Sequence, residues 1–236
     1  DSEQGHSITG GALTYNDKRN FVADIQQHCP VPITIENDAK CAALAEAWKG
    51  SLVGCKNGVV VVLGTAVGGG IFLNGQLYKG SHFAAGELSF LLTDSWHAKG
   101  EPYHYWGHDG GSRGLCRAVE HIKRLPPKSV NGQQVFDWAN EGDEDVCEAL
   151  DAYTYRLAMQ FFNLQSLFDP DVIAVGGGIS AQPLLLQYIE QNLVYLEQHL
   201  PMHLTIPKVV RCHFMNDANL VGALHHHLQM TETPVP

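Results

Sequence analysis

An α/β fold is the class this sequence predicts, and three observations predict it. Two apolar runs of strand length, Gly58-Val-Val-Val-Val-Leu63 and Asp171-Val-Ile-Ala-Val175, each break into a cluster of glycines, as buried strands of an open sheet do where they end in ligand-facing turns. Long segments elsewhere carry apolar residues at helix spacing, the longest from about 144 to 167 with Val146, Leu150, Tyr153, Leu157, Phe161 and Leu164 on one face. Thirdly, at Asn37-Asp38 one periodicity becomes the other: Val31, Ile33 and Ile35 alternate with other residues, whereas Cys41, Leu44, Ala45 and Trp48 fall at i, i+3, i+4 and i+7.

The chain opens on Asp1-Ser-Glu-Gln-Gly-His6, without an initiator Met, and Ser7 to Leu13 reads as the middle of a sheet, so further sequence is expected upstream. Residues 14 to 30 suit a loop and a short helix that stops before Pro30. Val31 to Ile35 is expected as a half-buried strand leading into a helix from 39 to 48. An Asp at that junction stands at the rim of a sheet beside the positive end of a helix dipole, which favours its ionised form and suits a general base. The same residue type is also a favoured helix cap, so stability alone explains it equally well.

Gly50 and residues 51 to 57 read as a linker into the buried strand at 58 to 63, which ends in Gly64-Thr-Ala-Val-Gly-Gly-Gly70. A phosphate-binding P-loop or a dinucleotide fingerprint would open a helix. Here Ile71 to Tyr78 follows as strand, turning at Asn74-Gly75, the strongest short hairpin signal. The glycines therefore belong to a hairpin. Their amides can cradle phosphate oxygens, with Thr65 adding a hydroxyl, or they simply let two backbones pack closely. Glu87, inside Phe83-Ala-Ala-Gly-Glu-Leu-Ser-Phe90, is a carboxylate among small and apolar residues. It needs partners, whether sugar hydroxyls, backbone amides or a salt bridge.

The stretch from Trp96 to His108, with Trp96, His97, Tyr103, His104, Tyr105, Trp106 and His108, suits a loop over a ligand pocket better than a zinc site, for want of a convincing ligand spacing. A helix at about 112 to 124, a polar hairpin or loop near Val130-Asn-Gly-Gln, and the long core helix follow. Beyond the strand that ends in Gly176-Gly-Gly178, a helix is expected from about 182 to 198, a strand at Pro207 to Cys212, and a last helix from Asn216. His225-His-His227 reads as a solvated helix face, and Met230 to Pro236 as a frayed tail.

The 236 residues, 44% of them hydrophobic, make a core of ordinary globular size. A formal charge of −10 argues against nonspecific binding of nucleic acid or anionic membrane. Six scattered cysteines without a CxxC pair suggest neither a disulfide framework nor a thiolate zinc site and fit a reducing cytoplasm. No apolar run has the length of a membrane span.

Taken in order, Pro32-Ile-Thr-Ile-Glu-Asn-Asp-Ala-Lys-Cys-Ala-Ala-Leu-Ala-Glu46, Leu63 to Ile71, Gly80 to Glu87, Val175-Gly-Gly-Gly-Ile-Ser180 and Asn216-Asp-Ala218 resemble the ROK family of sugar kinases and sugar-responsive repressors. The resemblance covers nearly the whole chain. It implies the actin/hexokinase-like ATPase fold with its ribonuclease H-like motif, one complete domain plus part of the first. Residues 1–50 would end a small N-terminal domain, completed by a C-terminal helix at 217–230, and residues 51–216 would be the large domain.

By the same resemblance, Asp38 would take the proton of a sugar hydroxyl, usually that on C6, as it attacks the γ-phosphate of ATP. Asn37 and Glu87 would hold the sugar. Gly64, Thr65, Gly68, Gly69 and Gly70 would face the phosphates, and Gly176, Gly177 and Gly178 the adenosine. Mg²⁺ would bridge phosphate oxygens, with no metal site built from protein side chains alone. A homodimer is the family habit.

The chain also departs from the family pattern. Phe90 stands where many members have a histidine, and no cysteine occurs between Trp96 and Gly111, so the chain is similar to the zinc-free branch that includes β-glucoside kinases. Ala66 and Asn219 replace glycines. The family's first phosphate motif, an Asp-x-Gly-Gly-Thr hairpin, would lie upstream of residue 1, and the chain as written is expected to turn over ATP poorly. The alternatives to a kinase are a sugar-sensing transcriptional regulator and a non-catalytic sugar-binding homologue.

Overall fold

Six residues without a breaker, five of them Val or Leu, make Gly58–Leu63 (β1) the centre of a five-stranded sheet. Both of its faces are covered: Val59, Val61 and Leu63 are buried in one cluster and Val60 in another. In this computed structural model, which describes residues 1–11, 13–94, 99–201 and 205–231, Val67–Leu73 (β2) returns antiparallel to β1 and Gln76–Leu77 (β3) antiparallel to β2. The turn between them holds Asn74 and Gly75 at φ 55° and 75°, the left-handed pair that a tight hairpin needs. Val172–Gly176 (β4) lies parallel on the other side of β1, and Val209–Arg211 (β5) parallel beyond it. The order is β3-β2-β1-β4-β5.

The helices form two layers. After Phe21–Gln26 (α1), Asp38–Lys49 (α2) crosses one face of the sheet with Ala39 to Glu46 all buried. Small residues make this possible: Ala43 sits where a side chain on Gly70 would be. The far side of α2 is covered by the last helix, whose Gly222 lies against the Cys41 carbonyl with no space for a methyl group. The opposite face carries the larger core. Trp106–Asp109 (α3), Ser112–Ile122 (α4), Gly132–Asn140 (α5), Glu144–Phe168 (α6) and Pro183–His199 (α7) lie on that side, with Ala218–Met230 (α8) returning to α2. The stripe predicted on the long helix is its buried face, and the helix ends at Asp169 in the left-handed conformation just before Pro170.

Four expectations are corrected. Residues 31–36 form no strand; their neighbour is α8, where His227 Nδ1 lies 3.1 Å from Thr34 Oγ1. The described residues among 7–13 likewise form no strand, and the nearby pairing is a single bridge between His6 and Asn20. Near Val130 the chain forms α5 rather than a hairpin or loop: Asn131 accepts from Gln134 N–H while the Gln134 side chain accepts from Asn131 N–H, a reciprocal cap. The histidines at 225–227 are no solvated face. His226 is buried and His225 stacks on Trp48 with ring centroids 4.7 Å apart. Trp96, His97 and the tail beyond Thr231 lie outside the described residues. No helix among them is long and apolar enough to cross a membrane.

Candidate active site

The strand register brings the predicted residues to one end of the sheet. Val62 pairs with Gly68 across the hairpin and with Gly176 in parallel, so β1 and β4 finish side by side, one in Gly64–Ala66 and the other in Gly177–Gly178. A Cβ on Gly68 would stand 2.7 Å from that of Ala39, which sets the N-terminus of α2, and with it Asp38, at the same end. Gly86 touches the Gly69 backbone and carries Glu87 there too. Asn37, Asp38, Thr65 and Gly178 are exposed and Glu87 half-buried. They form an open rim. A cavity of about 380 Å³, lined among others by His104, Trp106, Asp109, Arg156 and Gln160, is bordered by neither Asp38 nor Glu87.

Helix capping divides the labour at the α2 terminus. Asn37 is the cap: its side-chain oxygen accepts from Lys40 N–H at 3.1 Å, and its own N–H donates to Glu36 Oε1 at 2.9 Å. The Asn37 carboxamide keeps its NH₂ free of the cap, as a donor. Asp38 occupies the first helical position and accepts from Ala39 N–H through Oδ1, which leaves Oδ2 for solvent or substrate. Glu36, behind them, is a buried carboxylate. Burial works against its ionisation, but the Lys79 ammonium at 2.8 Å and the Asn37 N–H outweigh burial and hold it below the usual carboxylate range.

The glycines separate into two kinds. Gly64 and Thr65 form the turn with Ala66, and a Cβ on Gly64 would meet only the Ala66 carbonyl, at 3.8 Å. Gly178 has nothing within 4 Å, while Gly177 holds φ 91° with the Leu63 carbonyl pressed against it. At Gly64 and Gly178 the backbone is bare with open space beside it. Gly68, Gly69 and Gly70 lie within β2, and side chains there would strike Ala39, Leu88 and Ala43. Their lack of side chains lets β2 pack closely against α2 and the 86–88 turn. Gly176 likewise ends β4 buried, beside Cys212 Sγ at 3.1 Å.

Three participants escaped the sequence reading. Ser112, at the start of α4, anchors the turn by donating from N–H and Oγ to the Gly64 carbonyl at 2.8 and 2.9 Å; the preceding Gly110-Gly111 pair, which lets the chain approach that turn, was its only signal. Lys79 supports Glu36. Lys40, buried two positions after Asp38, reaches Glu87 at 3.6 Å, and its signal was a lone charge in an otherwise small and apolar helix segment.

An α/β sheet with open glycine turns at one end and a carboxylate-tipped helix beside them belongs to the actin/hexokinase-like ATPase fold class. A solved ROK family protein from Streptococcus pneumoniae, in complex with sucrose, has this fold: TM-score 0.87 at 26% identity, over 99% of this chain and 78% of that one. A family model described as ROK family matches residues 3–229, and the chain belongs to that family. It is 32% identical to a β-glucoside kinase of Klebsiella pneumoniae over 99% of this chain and 76% of the relative. It is also 31% identical to an N-acetyl-D-glucosamine kinase of Aliivibrio salmonicida, over 91% of this chain and 74% of the relative.

Proposed function

We propose that the chain is an ATP-dependent carbohydrate kinase acting on a hexose or β-glucoside, in which Asp38 is the general base. The observation that carries this is the convergence of the α2 terminus with two open glycine turns at one end of the sheet. The names of its curated relatives, a β-glucoside kinase and an N-acetylglucosamine kinase, favour a sugar as acceptor.

Phosphoryl transfer needs little covalent help from the protein; it needs alignment and charge neutralisation. Asp38 Oδ2 takes the proton of the attacking hydroxyl, on C6 in the simplest case. Asn37 donates to a sugar oxygen through its NH₂, and Glu87 accepts from sugar hydroxyls. Gly64 and Thr65 offer N–H and hydroxyl donors to the phosphates, and Gly178 leaves space for the adenosine side. Mg²⁺, when bound with ATP, neutralises phosphate charge and relies mainly on phosphate oxygens. In this reading residues 1–50 and 217–230 belong to a small domain and 51–216 to a large one, two copies associate, and the protein acts in the cytoplasm.

The test is an ATP-coupled assay of the full-length gene product against glucose, cellobiose, fructose, mannose and N-acetylated hexosamines, with Asp38→Asn beside it. Phosphorylation of at least one sugar is expected, with kcat lowered about 10²- to 10⁴-fold in Asp38→Asn and sugar affinity retained. Sugar binding without turnover in the parent would leave a binding protein, and an unimpaired Asp38→Asn would remove the base.

A further inference from the structure

Two of the eight buried residues from Ala39 to Glu46 are charged. Glu46 is accounted for by four donors, the N–H groups of Ser51, His213 and Phe214 and the Ser51 hydroxyl. Lys40 is different. Its side chain is 3% exposed, and Nζ has two destinations: it donates to the Phe83 carbonyl at 2.6 Å and stands 3.6 Å from Glu87 Oε1. A buried ammonium is costly unless such partners hold it. Phe83 holds φ 58°, a left-handed conformation that a bulky side chain rarely adopts, and its carbonyl is the one that meets the ammonium. Glu87, at 38% exposure, keeps part of its carboxylate on the open rim.

We propose that Lys40 is a positioning residue for the sugar. Through Glu87 Oε1 and the Phe83 carbonyl it fixes the 83–87 turn onto α2, so that the outer carboxylate oxygen is presented to substrate hydroxyls at a set place relative to Asp38. The inference rests on the reading of Glu87 as a sugar ligand. Its physical content is that base and ligand are both referenced to one helical turn, since Lys40 lies two residues beyond Asp38, rather than to a loop free to drift. Preorganisation of this kind acts on sugar binding, with little effect on the nucleotide or on the proton transfer.

A mutant cycle separates positioning from mere structural support. Lys40→Met is expected to raise the sugar KM about 10- to 100-fold, the range for loss of a hydrogen bond to a charged group, with ATP KM and kcat within about threefold. Introduced into Glu87→Ala, the same change should add less than about threefold to the sugar KM, because the residue it acts through is gone. Lys40→Gln keeps a donor for the Phe83 carbonyl but lacks the charge, and it should reproduce the sugar effect with a thermal midpoint closer to that of the parent. Equal effects of Lys40→Met with and without Glu87, a parallel fall in sugar affinity, ATP affinity and kcat, or an unchanged sugar KM in Lys40→Gln would each overturn the proposal. An unchanged sugar KM in Glu87→Ala itself would overturn the reading of Glu87 and this proposal with it, whereas a raised KM there with additive effects would overturn this proposal alone.

Discussion

Gly177 and Gly178 are chain neighbours with opposite tolerances. Gly177 needs its φ of 91° and has the Leu63 carbonyl where a Cβ would go, so Gly177→Ala should destabilise the fold by about 2–4 kcal/mol, measurable by urea unfolding. Gly178 has neither constraint. Gly178→Ala should leave the unfolding midpoint in place yet raise the KM for ATP severalfold with the sugar KM unchanged; a nucleotide KM that does not move would take Gly178 out of the site. Gly70→Ala belongs with Gly177: its methyl group would enter the volume of Ala43, at about 1–3 kcal/mol. The sequence displayed all these glycines as two similar clusters. Which face of a strand each occupies depends on register, and register is what divides them into packed and open kinds.

Among the elements, α2 holds the site to the fold. Its N-terminus carries Asn37 and Asp38. At its other end Glu46 accepts from His213 and Phe214 N–H, which fastens the segment after β5 to the helix, and from Ser51. Glu46→Gln retains the shape but turns an NH₂ toward some of these donors, leaving buried N–H groups unsatisfied. About 2–4 kcal/mol should be lost in chemical denaturation, with the largest gain in amide exchange around 211–214. The helix was legible from its period, its small residues hinted at close packing, and the family resemblance grouped it with the C-terminal helix, but the contact through Gly222 was not legible. That pair is separated by most of the chain, and no local pattern records which distant helix fills a groove. The α5 terminus is the reverse case: Asn131 and Gln134 spelled a capping box that the flanking Gly132 disguised as a turn.

For the molecule as a whole, the α2–α8 contact carries a dependence on pH. Burial is the largest influence on His226 and pushes its pKa down; Glu36 and the Ile35 backbone oppose this, while Lys79 and His227 reinforce it. His225 is lowered as well, by burial and by His226. Below the ordinary histidine value of about 6.5 the unfolded chain binds protons that the native state refuses, so stability falls as pH drops. Glu36 has the carboxylate sign: its native pKa is depressed, so its contribution is complete above the ordinary value of about 4.3 and lost as pH falls through the native one. The thermal midpoint should therefore decline between pH 7.5 and 5.5, and His226→Gln should flatten that decline. An unchanged slope would place the titrating group elsewhere.

By itself the sequence determined the class of fold, the hairpin at Asn74-Gly75, the long core helix and the position of the Asn37-Asp38 junction. Each is written in neighbouring residues, through hydrophobic period, capping and turn chemistry. Only the tertiary structure decided that residues 31–36 form no strand, that Gly68 to Gly70 lie against Ala39, Leu88 and Ala43, and that the histidines of α8 are covered. It also decided that a lysine on α2 meets a carboxylate from the 83–87 turn. Those outcomes depend on which distant surfaces share a volume, and a local pattern carries no record of its remote neighbours.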